Sequence, residues 1–245
     1  MLNFVEHRQS TIVNLIHYRF PEQMTMTCAK VPMGSFQRPT WDPCPCGIFT
    51  KGRGERIGGS IKMEIDETIK GRRSIRRYQE RDIPDSVIKE LLSLAIHAPS
   101  SMNGQPWCFI VVRAKKTKEH LVEIKNRYCP TEKQDYKADF LQMAPVIIVV
   151  CVDKQKSYDR EIENGVLATA NLILGAYSRG LGSVYMSAYR LGDSGISQEV
   201  REVLDIPQDI DPITIVPLGY PDEIPEPKIV TPLEEMISYE TFGRE

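Results

Sequence analysis

Residues 144–152 read Ala144-Pro-Val-Ile-Ile-Val-Val-Cys-Val152 and form the longest apolar run of the chain. The run is rich in β-branched side chains and carries no charge, which predicts a strand buried on both faces of a sheet. A run of this length is too short to span a membrane as a helix. The sequence therefore indicates a globular core built around a central strand.

The sequence on either side of this run predicts an alternation of helices and strands. Apolar side chains in residues 87–95 repeat with the 3.6-residue period of a helix, and Pro84 stands where a first helical turn tolerates proline. The other predicted elements are helices at residues 65–72, 161–179 and 197–204 and strands at residues 107–112, 183–186 and 213–218. This mixture indicates an α+β fold, with a mixed β-sheet flanked by helices.

The helix predicted at residues 161–179 has apolar side chains on much of its circumference. They are Ile162, Val166, Leu167, Ala170, Ile173 and Leu174. A helix that is apolar on so many sides is buried in a large core or in a subunit interface. Residues 115–137, in contrast, are polar and charged and show no diagnostic pattern.

The overall charge argues against nucleic acid as the main partner. The 245 residues carry a formal net charge of −2, with 41% hydrophobic and 26% charged residues. Nucleic-acid-binding proteins usually present a net basic surface, so the basic residues must be interpreted locally. No membrane partner is predicted either, because the N-terminus lacks the basic start and apolar stretch of a signal peptide.

The six cysteines show no paired C-x-x-C spacing and do not indicate a disulfide framework. We therefore expect a reducing, cytoplasmic location. Cys28, Cys44 and Cys46, with His17 nearby, offer possible zinc ligands, but the C-P-C-G spacing is not that of a common zinc knuckle. The sequence predicts no metal site.

Residues 1–62 differ in composition from residues 63–245. They contain five prolines and six glycines and show no sustained helical or strand period, apart from a weak helical pattern at residues 4–18. Such a stretch buries too little apolar surface to offset its ordering entropy, so we expect a disordered or loosely attached extension. An alternative is that translation starts at Met63, because residues 51–59 resemble a translated ribosome-binding site. The domain is predicted to span residues 63–245.

Residues 71–78, Gly71-Arg-Arg-Ser-Ile-Arg-Arg-Tyr78, form the first of three segments that indicate chemistry. We call them the arginine segment. Four guanidinium groups and a serine hydroxyl offer donors suited to a phosphate dianion. Alternatively, Arg72 and Arg73 only complement the C-terminal end of the preceding helix dipole.

Residues 98–107, Ala98-Pro-Ser-Ser-Met-Asn-Gly-Gln-Pro-Trp107, form a polar loop between a helix and a strand. Its side chains are rich in neutral donors and acceptors, which suits a heterocycle with carbonyls and ring nitrogens. The alternative is a capped connection with Trp107 in the core. Near the C-terminus, Leu218-Gly-Tyr-Pro-Asp-Glu-Ile-Pro-Glu-Pro-Lys228 contains three prolines that could return Lys228 towards an anion. Taken alone, the segment is better interpreted as a surface tail with a solvated lysine.

The order of these motifs resembles the nitroreductase family over residues 63–245. R-R-S-I-R is followed by A-P-S-S-x-N-x-Q-P-W, then G-L-G-S after a long helix, then L-G-Y-P and P-x-P-K. The resemblance implies an interlocked α+β homodimer with a flavin mononucleotide (FMN) site at each end of the subunit interface. It also implies NADH or NADPH as the reductant.

The resemblance also implies which residues bind FMN. Arg72, Arg73, Ser74, Arg76 and Lys228 match groups that contact ribityl and phosphate, while Pro99, Ser100, Ser101 and Asn103 match the loop that reaches the flavin from the second subunit. Met186 and Ser187 match the stretch that approaches the flavin ring, often through backbone groups. One departure is Val230, which stands where many members have a second basic residue.

Hydride transfer of this kind requires orientation and electrostatic support rather than an acid or base, so no catalytic side chain is predicted. The expected reaction is a ping-pong cycle in which NAD(P)H reduces FMN and a nitroaromatic, quinone or similar acceptor takes the electrons. Reductive dehalogenation or deazaflavin or flavin metabolism on the same fold remains an alternative. A non-enzymatic nucleic-acid-binding module using the arginine segment is a further one.

Overall fold

The computed structural model of the protein describes residues 64–129 and 137–243. The helices are α1 (Ile65–Gly71), α2 (Asp85–Ala95), α3 (Lys115–Arg127), α4 (Phe140–Met143), α5 (Lys154–Ser157), α6 (Glu161–Tyr177) and α7 (Gly195–Val203). The strands are β1 (Trp107–Val112), β2 (Val146–Asp153), β3 (Gly182–Ser183), β4 (Met186–Ser187) and β5 (Ile210–Gly219). The predictions for residues 1–62, for the cysteine group within them and for a start at Met63 lie outside the described residues.

The five strands form a sheet in the order β1-β2-β5-β3, with β4 also paired to β5. All these pairings are antiparallel, so the described strands form an antiparallel sheet rather than the predicted mixed one, and an isolated parallel bridge joins Ser74 to Ser183 outside the paired strands. The β2–β5 ladder runs from Val146 opposite Leu218 to Asp153 opposite Ile210. The prediction of a buried central strand at residues 144–152 is confirmed, because β2 is buried along nearly its whole length.

Two hydrophobic cores lie on opposite faces of the sheet. Alternate residues of a strand point to opposite faces, and β2 supplies Ile148 to one core and Ile147 to the other. The first core is completed by α2 and α6, which contribute Leu91 and Leu172. The second is completed by α3 and α7. Helices therefore cover both faces, which explains the uninterrupted apolar run and confirms the predicted α+β class.

The long helix α6 packs closely against β5 and α2. A Cβ at Gly165 would lie 2.6 Å from the Ile213 side chain, so the helix and the strand approach more closely than larger residues permit. The Thr169 and Thr214 hydroxyls are hydrogen-bonded at 2.7 Å in the same buried contact. Leu167, in contrast, remains 39% exposed. The helix face in the core is buried through Ala168, Leu172 and Ala176, whereas the six apolar residues that led to the prediction are half-buried or exposed, so their burial in a subunit interface stays a prediction.

Three elements differ from the sequence predictions. Residues 115–127, which showed no clear pattern, form α3 and bury Leu121, Val122 and Ile124. The strand predicted at residues 183–186 is divided into β3 and β4, although both pair with β5 in one continuous register. That register places Val184 opposite Pro217, which has no N–H to donate to a ladder. Helix α2 begins at Asp85, one residue after Pro84.

Within the described residues, no helix is both long and apolar enough to cross a membrane.

Candidate functional site

The arginine segment lies between β3 and the chain that leaves β5. The N–H of Ile75 donates to the Ser183 carbonyl at 3.0 Å, and the N–H of Gln79 donates to the Tyr220 carbonyl at 2.9 Å. Tyr78 also forms an isolated bridge with Pro221. The structure therefore brings together three of the four predicted motifs, R-R-S-I-R, G-L-G-S and L-G-Y-P, although they are far apart in the sequence.

Two glycines of these motifs make the close contact possible. A Cβ at Gly182 would lie 2.7 Å from the side chain of Ile75, and a Cβ at Gly219 would lie 2.6 Å from the ring of Tyr78. Both distances are below van der Waals contact, so larger residues would push the arginine segment off the sheet. The buried Tyr78 hydroxyl donates to the Ile75 carbonyl at 2.6 Å and closes the turn of the segment.

The predicted phosphate-binding arginines have different surroundings. Arg72 is half-buried, and burial, with a smaller contribution from Arg73, lowers the pKa of its guanidinium. Arg73 donates from Nη1 to the carbonyls of Lys70 and Arg72 at 2.8 and 3.0 Å, which is the helix-end role weighed as an alternative. The Arg76 guanidinium carbon lies 5.9 Å from the centre of the Phe140 ring. Ser74 is half-buried beside Ser183.

A carboxylate that the sequence analysis missed also touches the arginine segment. Glu223 Oε1 accepts the backbone N–H of Arg77 at 3.2 Å and accepts the N–H of Arg76. Its position in the sequence, inside a charged and proline-rich turn, gives no signal of this contact. Glu223 lies close to Arg76 because the chain that leaves β5 runs beside the arginine segment.

The polar loop is held in an uncommon backbone conformation. Met102, Asn103 and Gln105 have φ angles of 50°, 54° and 47°, in the left-handed region that most side chains avoid. Such strain persists only where the surrounding structure enforces it, and it is concentrated at functional sites. Met102 is also 83% exposed, so the tip of the loop presents a large apolar side chain to its surroundings.

Asn164, in the first turn of α6, fixes this loop. Its Oδ1 accepts the N–H of Ser101 at 3.0 Å, and its Nδ2 donates to the Ser157 carbonyl at 3.2 Å. Its own carbonyl accepts the indole N–H of Trp107 at 2.9 Å. The side chain is 1% exposed, so these bonds replace contacts with water. The sequence analysis did not single out Asn164, because a polar residue at a helix start is usually solvated.

The polar loop and the arginine segment lie near opposite ends of α6. The loop contacts Asn164 in the first turn, whereas Gly71 lies against the hydroxyl of Tyr177 in the last turn. With a rise of 1.5 Å per residue, these two helix positions are about 20 Å apart. Within one chain, the structure thus divides the predicted flavin-binding residues into two separate groups.

Met186 and Ser187 form β4, opposite Ile215 and Thr214. The Met186 side chain is buried in the core, so its backbone is the part available to a ligand. The Ser187 carbonyl accepts a hydrogen bond from Lys125 Nζ at 2.7 Å. Burial, with a smaller contribution from Arg190, lowers the pKa of Lys125 to about 8. Lys125 is a third residue that the sequence analysis missed, because α3 itself was not predicted.

Lys228 does not join the arginine segment in this structure. It is exposed in a stretch without helix or strand. The residues that follow include exposed apolar side chains at Ile229, Val230, Leu233, Met236, Tyr239 and Phe242. We call residues 222–243 the C-terminal tail. The tail holds several large apolar groups with little cover from its own chain.

A groove of about 750 Å³ lies along β1, between α2, α3 and α7. Its apolar floor includes Leu92, Val111 and Leu204, and its rim includes Arg113 and Asp205. None of the predicted site residues lines this groove. It is therefore separate from the arginine segment and from the polar loop.

Known proteins are similar to this chain in sequence and in fold. The sequence model described as the Nitroreductase family matches residues 69–220. A candidate NADH dehydrogenase/NAD(P)H nitroreductase from Methanothermobacter thermautotrophicus is 37% identical over 69% of this chain and 84% of that protein. The iodotyrosine deiodinase of Thermotoga neapolitana is 31% identical over 74% of this chain and 100% of that protein. The solved FMN-dependent nitroreductase of Clostridium difficile is 29% identical, with a TM-score of 0.61 over 72% of this chain and 99% of that one.

Replacement of Asn164 by leucine should destabilise the protein. The Ser101 N–H and the Ser157 carbonyl would lose their partner, and each unsatisfied buried group costs about 1–3 kcal/mol, so the free energy of unfolding should fall by about 2–6 kcal/mol. Urea denaturation measures this loss. Asn171→Leu on the same helix is the control, because Asn171 makes a single 3.3 Å bond to the Leu94 carbonyl. Equal losses in the two variants would contradict the special role of Asn164.

The buried amine of Lys125 should give a characteristic pH dependence of stability. Its pKa is lowered from 10.5 to about 8, so between these values the unfolded chain binds more protons than the folded one. Stability therefore rises with pH in this window, by up to about 3 kcal/mol. The test is the difference in unfolding free energy between the wild type and Lys125→Met, measured from pH 7.5 to 10.5. The wild-type value minus the Lys125→Met value should increase with pH. If this quantity stays constant or decreases, burial of a charged amine is contradicted.

Proposed function

The chain belongs to the nitroreductase family, and from that premise we propose that it is an FMN-dependent oxidoreductase that takes hydride from NADH or NADPH. Its acceptors are small molecules such as nitroaromatics or quinones, reduced in a ping-pong cycle. The observation that carries the proposal is the convergence of the arginine segment with Ser183 and with Tyr220. These backbone contacts assemble a cationic segment at one end of the sheet.

The residues present suit FMN in their chemistry. Arg72, Arg73 and Arg76 offer charge-assisted donors for a phosphate, and the Ser74 hydroxyl adds a neutral donor beside them. Arg73 uses one of its nitrogens on helix carbonyls and keeps further N–H groups for a ligand. Val230 stands where many family members have a second basic residue, and Lys228 is exposed. The arginine segment would therefore neutralise most of the phosphate charge.

The polar loop suits the flavin ring. Pro99, Ser100, Ser101 and Asn103 present neutral groups, and the strained backbone around Met102 keeps them in one arrangement. Because the loop lies about 20 Å along α6 from the arginine segment, a second copy of the chain is the better source of the loop at each site. Each site of the proposed homodimer would then combine the arginine segment of one chain with the loop of its partner.

FMN, when bound, supplies the group that accepts hydride from NAD(P)H and passes it to the second substrate. The chain's own residues orient the reactants and limit access of water, which is sufficient for hydride transfer. Met186 and Ser187 would approach the ring through their backbone, since the Met186 side chain lies in the core. Lys125 fixes the Ser187 carbonyl, and thereby the position of β4.

Exposed apolar surface supports a homodimer. The C-terminal tail leaves Leu233, Tyr239 and Phe242 open to solvent, and α1 exposes Ile65 and Ile69. Exposed apolar groups clustered in this way mark protein–protein contacts. Strand β1 is an edge strand with an open groove beside it, which gives a partner chain a second place to bind. We therefore propose that two copies interlock and bury these surfaces.

Two thiols of the described residues lie side by side in the sheet. Cys108 and Cys151 are directly opposite each other in the β1–β2 ladder, and both are free thiols. Burial raises the pKa of Cys151 to about 12, which keeps this thiol protonated and unreactive. We propose the cytoplasm as the location of the protein.

Reductive dehalogenation is the second candidate function, because the similarity to the Thermotoga deiodinase extends over that whole protein. Steady-state rates with a nitrofuran, a quinone and a halogenated phenol, each with NADH and with NADPH, would separate the candidates. Turnover of the nitrofuran and the quinone supports the first function. Release of halide from the phenol, with neither of the others reduced, would replace it with the second.

The purified protein should be yellow and should release FMN when Arg72 is replaced. Each lost charge-assisted hydrogen bond costs about 1.5–3 kcal/mol, so Arg72→Ala should weaken FMN binding about 10- to 100-fold. Titration of the apoprotein with FMN, followed by flavin fluorescence, measures the change. Arg127→Ala is the control, because Arg127 pairs with Glu199 outside the arginine segment. A colourless protein that FMN does not restore would refute the flavin proposal.

A site shared between two chains should be restored by mixing two defective variants. Arg72→Ala removes the phosphate donor of one chain, and Asn103→Ala removes a loop group of the other. Random pairing should give half mixed dimers, each with one intact site, so about a quarter of wild-type activity should return. Refolding the variants together, with each refolded alone as the control, measures the recovery. Absence of recovery in a confirmed mixed dimer would place the loop and the arginines in one chain.

A further inference from the structure

Glu223 occupies a defined position against the backbone of the arginine segment. One oxygen of its carboxylate accepts the N–H groups of two successive residues, Arg76 and Arg77. Successive N–H groups that point at one atom form a concave anion site of the kind that also binds phosphates. Here the anion belongs to the protein itself. These two N–H groups are therefore already used by the protein and are not the ones that would bind a phosphate.

Further hydrogen bonds hold the arginine segment on either side of its contact with Glu223. On one side, Ile75 donates to Ser183. On the other, the Asp222 N–H donates to the Arg77 carbonyl at 2.9 Å, and Gln79 Nε2 donates to the Pro221 carbonyl at 2.8 Å. Between these contacts, the N–H of Arg76 donates its hydrogen bond to Glu223. Without it, the backbone between Ile75 and Arg77 would lose this restraint.

We propose that Glu223 is a positioning residue for the FMN phosphate. Its carboxylate holds the backbone of Arg76 and Arg77, so that the guanidinium groups are arranged before the phosphate arrives. Binding then avoids the entropy loss of ordering the segment, which is how preorganisation raises affinity. This inference rests on the proposed function, because it takes the arginine segment as the phosphate site.

The charge of Glu223 and its hydrogen bonds have opposite effects on the affinity for FMN. A carboxylate near a phosphate dianion repels it, so removal of the charge alone would strengthen FMN binding. Removal of the hydrogen-bond acceptor would weaken FMN binding by releasing the segment. Glutamine keeps an oxygen that can accept both N–H groups and removes the charge, whereas alanine removes both. The pair of variants Glu223→Gln and Glu223→Ala therefore separates the two effects.

The experiment compares FMN with riboflavin, which lacks the phosphate. Dissociation constants of both flavins are measured on full-length apoprotein by flavin fluorescence. Glu223→Ala should weaken FMN binding about tenfold or more, since a charge-assisted contact is lost, and change riboflavin binding less than about twofold. Glu223→Gln should stay within about threefold of the wild type for FMN. Glu226→Gln is the control, because it removes the same charge from an exposed neighbour.

Three results would overturn the positioning role. Equal weakening of FMN and riboflavin in Glu223→Ala would mean a general loss of structure. Tighter FMN binding in both Glu223 variants would mean that repulsion dominates, and equal weakening in both would mean that an acceptor oxygen at this position does not hold the segment. If Glu223→Ala does not fold, Glu223→Asp takes its place with the same expectation, because the shorter side chain cannot reach both N–H groups.

Failure of the proposed function gives a different result. If the wild type binds FMN and riboflavin equally, or if Arg72→Ala leaves their ratio unchanged, the phosphate does not bind at the arginine segment. In that case the assignment of the site fails before Glu223 is considered. If the wild type prefers FMN and Arg72→Ala removes the preference, the site stands, and the Glu223 variants alone decide the positioning role.

Discussion

The antiparallel pairing of β2 with β5 supports every part of the candidate site. β2 is buried on both faces, and β5 uses its other edge to pair with β3 and β4. The chain that leaves β5 then provides Tyr220 and Glu223 to the arginine segment. Helix α6, which carries Asn164, packs on the same strand. The position of each functional group is thus set relative to one pair of hydrogen-bonded strands.

Helix α6 sets the distance between the two halves of the site. It contacts the polar loop through Asn164 in its first turn and the arginine segment through Tyr177 in its last turn. A helix is stiff and has a fixed rise, so this separation cannot close by small adjustments of side chains. Because the two groups lie apart in one chain, pairing of two chains offers a way to bring complementary groups to the same ligand. The length of one helix thereby links oligomeric state to cofactor binding.

The residues that hold the site are polar groups whose roles the sequence did not reveal. Asn164 looks like a polar residue at a helix start, Lys125 lies among other lysines, and Glu223 lies in a charged turn. Each becomes important through contacts to backbone groups that are distant in the sequence, such as Ser101, Ser187 and Arg76. Sequence periodicity reports which residues face the core, but it does not report which carbonyl or N–H a buried polar group meets. Pairings of this kind depend on the return of the chain in three dimensions.

The sequence by itself determined the α+β class, a buried central strand at about residues 144–152 and the resemblance to the nitroreductase family, because burial and backbone preferences leave local patterns. It did not determine α3, whose few apolar residues are masked by charges, or the break between β3 and β4, which depends on the strand opposite them. Arg73 meets the nearby Lys70 carbonyl, as the helix-end alternative from the sequence allowed, whereas only the tertiary structure decided that the backbone of Arg76 and Arg77 is held by Glu223. A contact across more than 140 residues depends on where the fold returns the chain, and no local pattern records it.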